Sequence, residues 1–85
     1  MRAKFRVNIV TDGKSNYQGE EKKYREDIVA NAVYDPDPNG ANRSWSEATP
    51  YGELRMAITN PGAFGHFKVG QEIYLDLTPV EQPVA

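Results

Sequence analysis

The chain has 85 residues, 39% of them hydrophobic and 26% charged, and a formal net charge of −2. This size and composition predict one folded domain with a small core and exclude global disorder. The slight acidity excludes an overall basic field for nucleic acid or anionic membranes, although it leaves a local basic patch open. The absence of cysteine excludes disulfides, thiolate metal sites and cysteine nucleophiles.

The first predicted element is a strand over residues 3–10, in which apolar and polar residues alternate. Its apolar face contains Phe5, Val7 and Ile9. The step from Asp12 to Gly13 is a strong turn signal and predicts that the strand ends there. Residues 14–23 are polar, which predicts a long connection or hairpin tip of the kind that often carries binding residues. No continuous apolar run follows the N-terminal cations, so we expect no signal peptide.

The middle of the chain predicts a second strand and then a loop. Residues 24–34 are rich in valine and carry apolar residues on both faces of a strand, which favours a strand in the centre of a sheet. Residues 35–42 contain two prolines and an Asn-Gly step, which are typical of a loop. Residues 43–51 carry Trp45 and predict either a short edge strand or an arm.

Residues 52–78 predict two strands with a short helical turn between them. Alternating apolar residues form one face of each strand, and with Phe67 they complete a predicted core: Leu54, Met56, Ile58, Ile73, Leu75 and Leu77. Asn60 is suited to cap a helical turn with Pro61 at its first position. Gly65 and Gly70 give the backbone the freedom to reverse direction.

Together these elements predict an all-β fold, a small five-stranded barrel or sandwich in the OB or SH3-like size class, with one helical turn near residues 60–67. Residues 1–79 are expected to form this single barrel-like domain. Residues 80–85 have little to pack and are expected to be an extended or disordered tail. No stretch has the length and apolarity of a membrane span.

No motif in the sequence indicates catalysis, a cofactor or a metal. Asp35, Asp37 and Asn39 resemble the start of a calcium loop, but the required glutamate is displaced and prolines interrupt the spacing, so an acidic turn is the better interpretation. His66 is the only histidine, and no serine has a local signature that would pair with it. The carboxylates of residues 20–27 alternate with cations, as solvated charges do. We therefore predict that the protein is not an enzyme.

Aromatic residues near cations are the most suggestive feature and support two interpretations. Trp, Tyr and Arg are enriched at protein interfaces, which makes four residues candidates for protein binding: Arg43, Trp45, Tyr51 and Tyr74. Small barrels that bind single-stranded nucleic acid use a similar mixture, which gives an alternative set: Lys14, Tyr17, Lys22, Lys23, Arg25 and Arg43. The acidic net charge favours the protein partner, which could be a second copy of the chain.

The second half of the chain resembles a group of small uncharacterised proteins of tailed bacteriophages. The likeness lies mainly in residues 42–79, in the motifs Asn-Arg-Ser-Trp-Ser, Ala-Thr-Pro-x-Gly, Thr-Asn-Pro-x-Ala and Phe-x-x-Gly-x-Glu-x-Tyr-x-Asp-x-Thr-Pro. The resemblance implies a phage protein in the host cytoplasm or the virion, either a capsid-associated accessory protein or a small inhibitor of a host factor. It brings no catalytic residue.

Overall fold

The protein is all-β in a computed structural model that describes residues 1–17 and 19–81, with only the backbone of Tyr17 described. Four strands form the fold: β1 (Arg2–Tyr17), β2 (Glu20–Ala32), β3 (Glu53–Ile58) and β4 (Glu72–Asp76). Two short 3₁₀ turns, Ala41–Ser44 and Pro61–Ala63, lie in the connections. The described residues contain no α-helix.

The strands form one open antiparallel sheet in the order β3-β2-β1-β4. The all-β prediction is confirmed, and so is the expected central position of β2. The five-stranded barrel is not what the described residues form, because the outer strands β3 and β4 do not pair with each other. The chain passes from one edge of the sheet to the other through residues 59–71, which cross one face instead of adding a strand that closes it.

The core lies on that one face, which we call the covered face. Its centre is a cluster of buried side chains, Ala3, Phe5, Val7 and Ala30. Trp45 from the β2–β3 connection and Phe67 from the β3–β4 crossover pack against this cluster. Both long connections therefore act as the second layer of the fold. The other face, which we call the open face, carries no such layer within residues 1–17 and 19–81.

A bulge at Asn8 divides the two halves of β1. Val7 pairs with Ala30 but Ile9 pairs with Val29, so Asn8 is an extra residue in β1. Because side chains alternate along a strand, one extra residue sends everything after it to the opposite face. Ile9 therefore lies on the open face with 52% of its surface exposed, and its predicted place in the core is wrong. Val10 takes that place and packs against the core cluster.

The predicted turn at Asp12–Gly13 is also wrong, since β1 continues through it to Tyr17. The hairpin reverses instead around Gly19, whose φ of 80° favours glycine. Residues 13–17 and 19–25 therefore form a two-stranded hairpin arm. β3 pairs with β2 only over residues 26–31, and β4 pairs with β1 only over residues 2–6, so neither flanks the arm.

Of the other local predictions, some are confirmed and one is wrong. The capped turn is confirmed, because the Asn60 side chain accepts a hydrogen bond from the Gly62 amide at 3.1 Å and Pro61 opens the turn. Gly65 and Gly70 have the expected positive φ angles. The alternative of an edge strand within residues 43–51 is wrong, since its start belongs to the first 3₁₀ turn and the rest forms no strand.

The predicted core was too large at the two edges of the sheet. Met56, on edge strand β3, is 45% exposed, and Leu77, directly after edge strand β4, is 48% exposed. Residues 80 and 81, at the start of the predicted tail, have no regular structure. Residues 82–85 lie outside the described residues.

The bulge can be tested with two matched substitutions. Ile28→Ala removes a side chain that is only 1% exposed and should lower the unfolding free energy by about 2–5 kcal/mol. Ile9→Ala removes the same atoms from the open face and should cost less than about 1 kcal/mol. Chemical denaturation of the two variants checks this difference. Equal losses would show that Ile9 shares the core after all.

Candidate protein-binding site

The side chain of Asn42 inserts into the sheet where β2 ends. The Val33 amide still donates to the Lys4 carbonyl at 3.1 Å, as in a regular ladder. The reciprocal bond is replaced by the Asn42 carboxamide, whose Oδ1 accepts from the Lys4 amide at 2.7 Å while Nδ2 donates to the Val33 carbonyl at 2.7 Å. Nδ2 also donates to the Lys4 carbonyl at 2.8 Å. Asn42 is 2% exposed, so these bonds satisfy an amide that water does not reach.

Asn42 in turn holds Trp45. The indole Nε1 donates to Asn42 Oδ1 at 3.1 Å, and the Asn42 carbonyl accepts from the amides of Trp45 and Ser46. The rest of the indole packs on the core cluster, which leaves it half-buried. The sequence around Trp45 is polar, but a partner 3 residues away satisfies the indole N–H and lets the ring lie on the core.

Trp45 forms one wall of an apolar hollow at the end of the covered face. The cavity has a volume of about 160 Å³ and is lined also by Met1, Phe5, Tyr51 and Leu77. We call it the aromatic hollow. Tyr51 stands at its rim with 96% of its surface exposed. The following Gly52 approaches the Phe5 ring so closely that a Cβ there would lie 3.1 Å from Phe5 Cζ, so glycine allows the chain to pass.

The candidates for protein binding divide between the two faces. Trp45 and Tyr51 meet in the aromatic hollow, and Arg43 is exposed on the 3₁₀ turn beside it. Tyr74 is not part of this group. It belongs to the open face, where the Arg2 guanidinium lies 5.0 Å from its ring centre.

The candidates for nucleic-acid binding are also divided. Lys14, Lys22, Lys23, Arg25 and the backbone of Tyr17 belong to the hairpin arm. Arg43 is next in sequence to Asn42, which is bonded to Lys4. Lys4 and Lys14 are separated by ten residues of β1, about 33 Å of extended strand. One compact basic site does not include all six.

Carboxylates accompany most of the arm's cations. Lys14 lies 3.3 Å from Glu21, and Arg25 lies 2.9 Å from Asp27. A hydrogen bond to Asp27 raises the pKa of Arg25. These pairs reduce the positive potential that a phosphate backbone would meet.

Glu26 is a buried carboxylate that sequence reasoning treated as a solvated charge. It is 1% exposed, and its Oε2 accepts from Lys23 Nζ at 2.6 Å and from the Gly65 amide at 3.2 Å. The pKa of Lys23 is raised, first by the hydrogen bond that Lys23 donates to Glu26 and then by the one that it donates to Asp12. The alternation of side chains along β2 could have revealed this burial, because Glu26 lies on the same face of the strand as Ile28 and Ala30. The pair joins the base of the arm to the crossover.

The open face is lined by cross-strand ion pairs. The Arg2 Nε lies 2.7 Å from the Asp76 carboxylate, and Glu72 lies 3.7 Å from both Lys4 and Arg6. The hydrogen bond from Arg2 lowers the pKa of Asp76, so this contact stabilises the fold above the unfolded-state pKa and is lost as the pH falls through the lowered value. Exposed pairs of this kind contribute little to stability.

The residues considered for metal binding or catalysis have structural contacts. Asp35 accepts from the Asp37 amide at 3.0 Å and Asp37 from the Asn39 amide at 2.9 Å, so both carboxylates close turns of the loop. The described residues contain no cluster of three or more side chains that could hold a metal ion. His66 is exposed and meets Phe67 edge to face at 4.8 Å.

Comparison with known proteins adds no identification. No protein-family model matches this sequence, and neither the curated proteins nor the solved structures contain a significant match. Within the described part of the chain, no helix is both long and apolar enough to cross a bilayer.

The role of Asn42 as a structural bridge gives a direct prediction. Asn42→Ala leaves the Lys4 amide, the Val33 carbonyl and the Trp45 indole N–H without their partner, and each buried polar group so abandoned costs about 1–3 kcal/mol. Three such groups predict a loss of at least about 3 kcal/mol of unfolding free energy. Asn39→Ala in the same loop is the control, because Asn39 is exposed. If urea denaturation found the two variants equally stable, the bridge would be unimportant.

Proposed function

We propose that the protein is a non-catalytic protein-binding module whose aromatic hollow receives an apolar side chain of its partner. The observation that supports this most is the pairing of a half-buried Trp45 with an almost fully exposed Tyr51 around one open apolar cavity. A tyrosine with 96% of its surface in water contributes little to the fold that holds it. Aromatic side chains in this position are typical of interface anchors.

The hollow is built in advance of binding. Trp45 is fixed through Asn42, and the Tyr51–Gly52 segment is fixed because the Ala32 amide donates to the Gly52 carbonyl at 3.0 Å. A site that is already ordered loses less entropy when a partner binds. Arg43 extends this surface with a cation on the neighbouring turn.

The edge of β4 gives the partner a second contact. Leu77 lines the hollow and pairs with Met1 directly after β4, whose outer edge has no strand beside it in the described residues. An extended segment could add to this edge and place one side chain in the hollow, as in β-augmentation. Tyr74, on the open face of β4, would then contact the same segment from its other side.

The resemblance of residues 42–79 to small phage proteins supports a phage setting for this module. In that setting the partner is a virion protein, which would make the chain a capsid-associated accessory protein, or a host factor that it inhibits. The first places the protein in the virion and the second in the bacterial cytoplasm. Repeated binding of one virion protein would array the module on a lattice.

Removing the Tyr51 side chain from the rim of the hollow should weaken partner binding while the fold survives. Tyr51→Ala should weaken partner binding by about 30-fold, since loss of an aromatic anchor typically costs about 2 kcal/mol or more. Tyr34→Ala is the matched control, because Tyr34 is also exposed, at 61%, but does not line the hollow. Crosslinked pull-downs from phage-infected cells and from virions, read by mass spectrometry, compare the two variants.

The same pull-down with Trp45→Ala tests the wall of the hollow. This variant should lose the partner as Tyr51→Ala does, provided that circular dichroism shows it folded. The proposal fails if Tyr51→Ala and a folded Trp45→Ala retain every partner that the wild type and Tyr34→Ala capture.

A single-stranded nucleic-acid binder is the second candidate, because the hairpin arm gathers five of the six residues considered for that role: Lys14, Tyr17, Lys22, Lys23 and Arg25. Tyr24 adds an aromatic ring that is 52% exposed. Against it stand the carboxylates paired with the arm's cations and the absence of a closed OB-type barrel in the described residues.

Salt dependence separates the two candidates. If the arm follows a phosphate backbone, affinity for labelled oligothymidine should fall with salt by a log–log slope of about 0.7 per neutralised phosphate. Lys22→Glu should reduce both the affinity and the slope, and Lys68→Glu, on the crossover, serves as the control. We expect no binding at micromolar protein in low salt. Tight and steeply salt-dependent binding would instead make nucleic acid the partner.

A further inference from the structure

The longest free strand edge in the described fold belongs to β1 beyond its contact with β4. The Val7 amide donates to the Gln71 carbonyl at 2.9 Å and the Val7 carbonyl accepts from the Gly70 amide at 2.8 Å. In the described residues no backbone hydrogen bond reaches this side of β1 after Val7. Residues 9–17 therefore present an unpaired row of backbone donors and acceptors, which is a template for another strand.

This edge is regular where the others are interrupted or short. On the arm the register shifts because Gly13 pairs with Arg25 and Lys14 with Lys23, which leaves Tyr24 as an extra residue in β2. A bulge of this kind twists the outer edge of β2 and hinders pairing there. β1 has no extra residue of its own between Ile9 and Tyr17. The free edges of β3 and β4 are only six and five residues long.

The charges on the β1 edge suit a second copy of the same edge. Within residues 10–16 the only charged side chains are Asp12 and Lys14, one on each side of Gly13. A two-fold axis at Gly13 pairs two such edges antiparallel, so that each Asp12 lies opposite the Lys14 of the other copy. Opposite charges at facing positions stabilise an antiparallel pair. Proline and bulges, two common devices against edge pairing, are absent from residues 10–16 of β1.

The arm also gains from a third strand. A two-stranded hairpin without neighbours is marginally stable in water, and residues 13–25 have none in the described structure. The intramolecular partners of the two charges, Lys23 for Asp12 and Glu21 for Lys14, form partly exposed ion pairs that rearrange at little cost.

We propose that β1 pairs with β1 of a second copy over residues 10–16, giving a two-fold dimer with a continuous eight-stranded sheet. The surface is separate from the aromatic hollow, so the dimer does not depend on the function proposed above. The contact is small, and a weak, reversible dimer follows from its size.

Charge exchange tests the pairing. In sedimentation velocity from about 10 µM to about 1 mM, the wild type should show a monomer–dimer equilibrium. Asp12→Lys or Lys14→Asp alone opposes like charges twice in each dimer and should weaken it by about tenfold. The Asp12→Lys/Lys14→Asp double variant restores opposite charges and should recover the wild-type affinity to within about twofold. A structural role of the Asp12–Lys23 contact cannot produce that recovery, because the double variant lacks the contact too.

Disulfide trapping tests the position of the axis, since the chain has no cysteine of its own. Gly13→Cys places facing residues about 5 Å apart between Cβ atoms and should form a covalent dimer on mild oxidation. Ser15→Cys is the control, because its two copies would be four residues apart along the strands, about 13 Å.

The proposal is overturned if the wild type stays monomeric over the whole range, if the double variant is no better than the single ones, or if both cysteine variants crosslink equally. Tyr51→Ala should leave the dimer intact. If Tyr51→Ala abolished it, the self-contact would lie at the hollow rather than at the β1 edge.

Discussion

The carboxamide of Asn42 is the contact on which the rest of this fold depends. A sheet strand that leaves its neighbour abandons a backbone donor and acceptor, and here one side chain takes the place of the missing strand at Lys4 and Val33. All four of its hydrogen-bonding positions are used, the fourth by the Trp45 indole. The same group therefore ends the β1–β2 ladder, holds the long connection over the covered face and orients the wall of the aromatic hollow. Structure and candidate site share one anchor.

Two extra residues determine how the sheet is used. Asn8 in β1 shifts the side-chain alternation, which puts Ile9 on the open face and Val10 on the core. Tyr24 in β2 interrupts the outer edge of the hairpin arm on one side and leaves the β1 edge regular on the other. Because a bulge changes which edge can accept a strand, these two positions decide which strand edge is interrupted and which stays regular.

Polar side chains that are buried in this small domain depend on partners within the protein. One layer of connections lies above the covered face. Among the described residues the buried polar or charged side chains are Asn42, which belongs to one connection, and Glu26, which contacts the other. Glu26 lies beneath the crossover and is held by Lys23 and the Gly65 amide. Buried charges persist where a partner compensates the lost hydration. The crossover is thus held on the covered face by polar contacts as well as by the packing of Phe67.

The sequence by itself determined what depends on neighbours along the chain: the all-β class, the alternation of β3 and β4, the capped turn at Asn60 and the reversals at Gly65 and Gly70. It also pointed to Trp45 and Tyr51, but not to the hollow they share. Only the tertiary structure decided the faces, because the bulge at Asn8 exists through pairing with β2 and has no local signal. It likewise overrode the Asp12–Gly13 turn, since each residue there gains a ladder partner by staying extended. Trp45 and Asn42 show the same limit, because Asn42 is held by Lys4 of β1, which is 38 residues away from it in sequence.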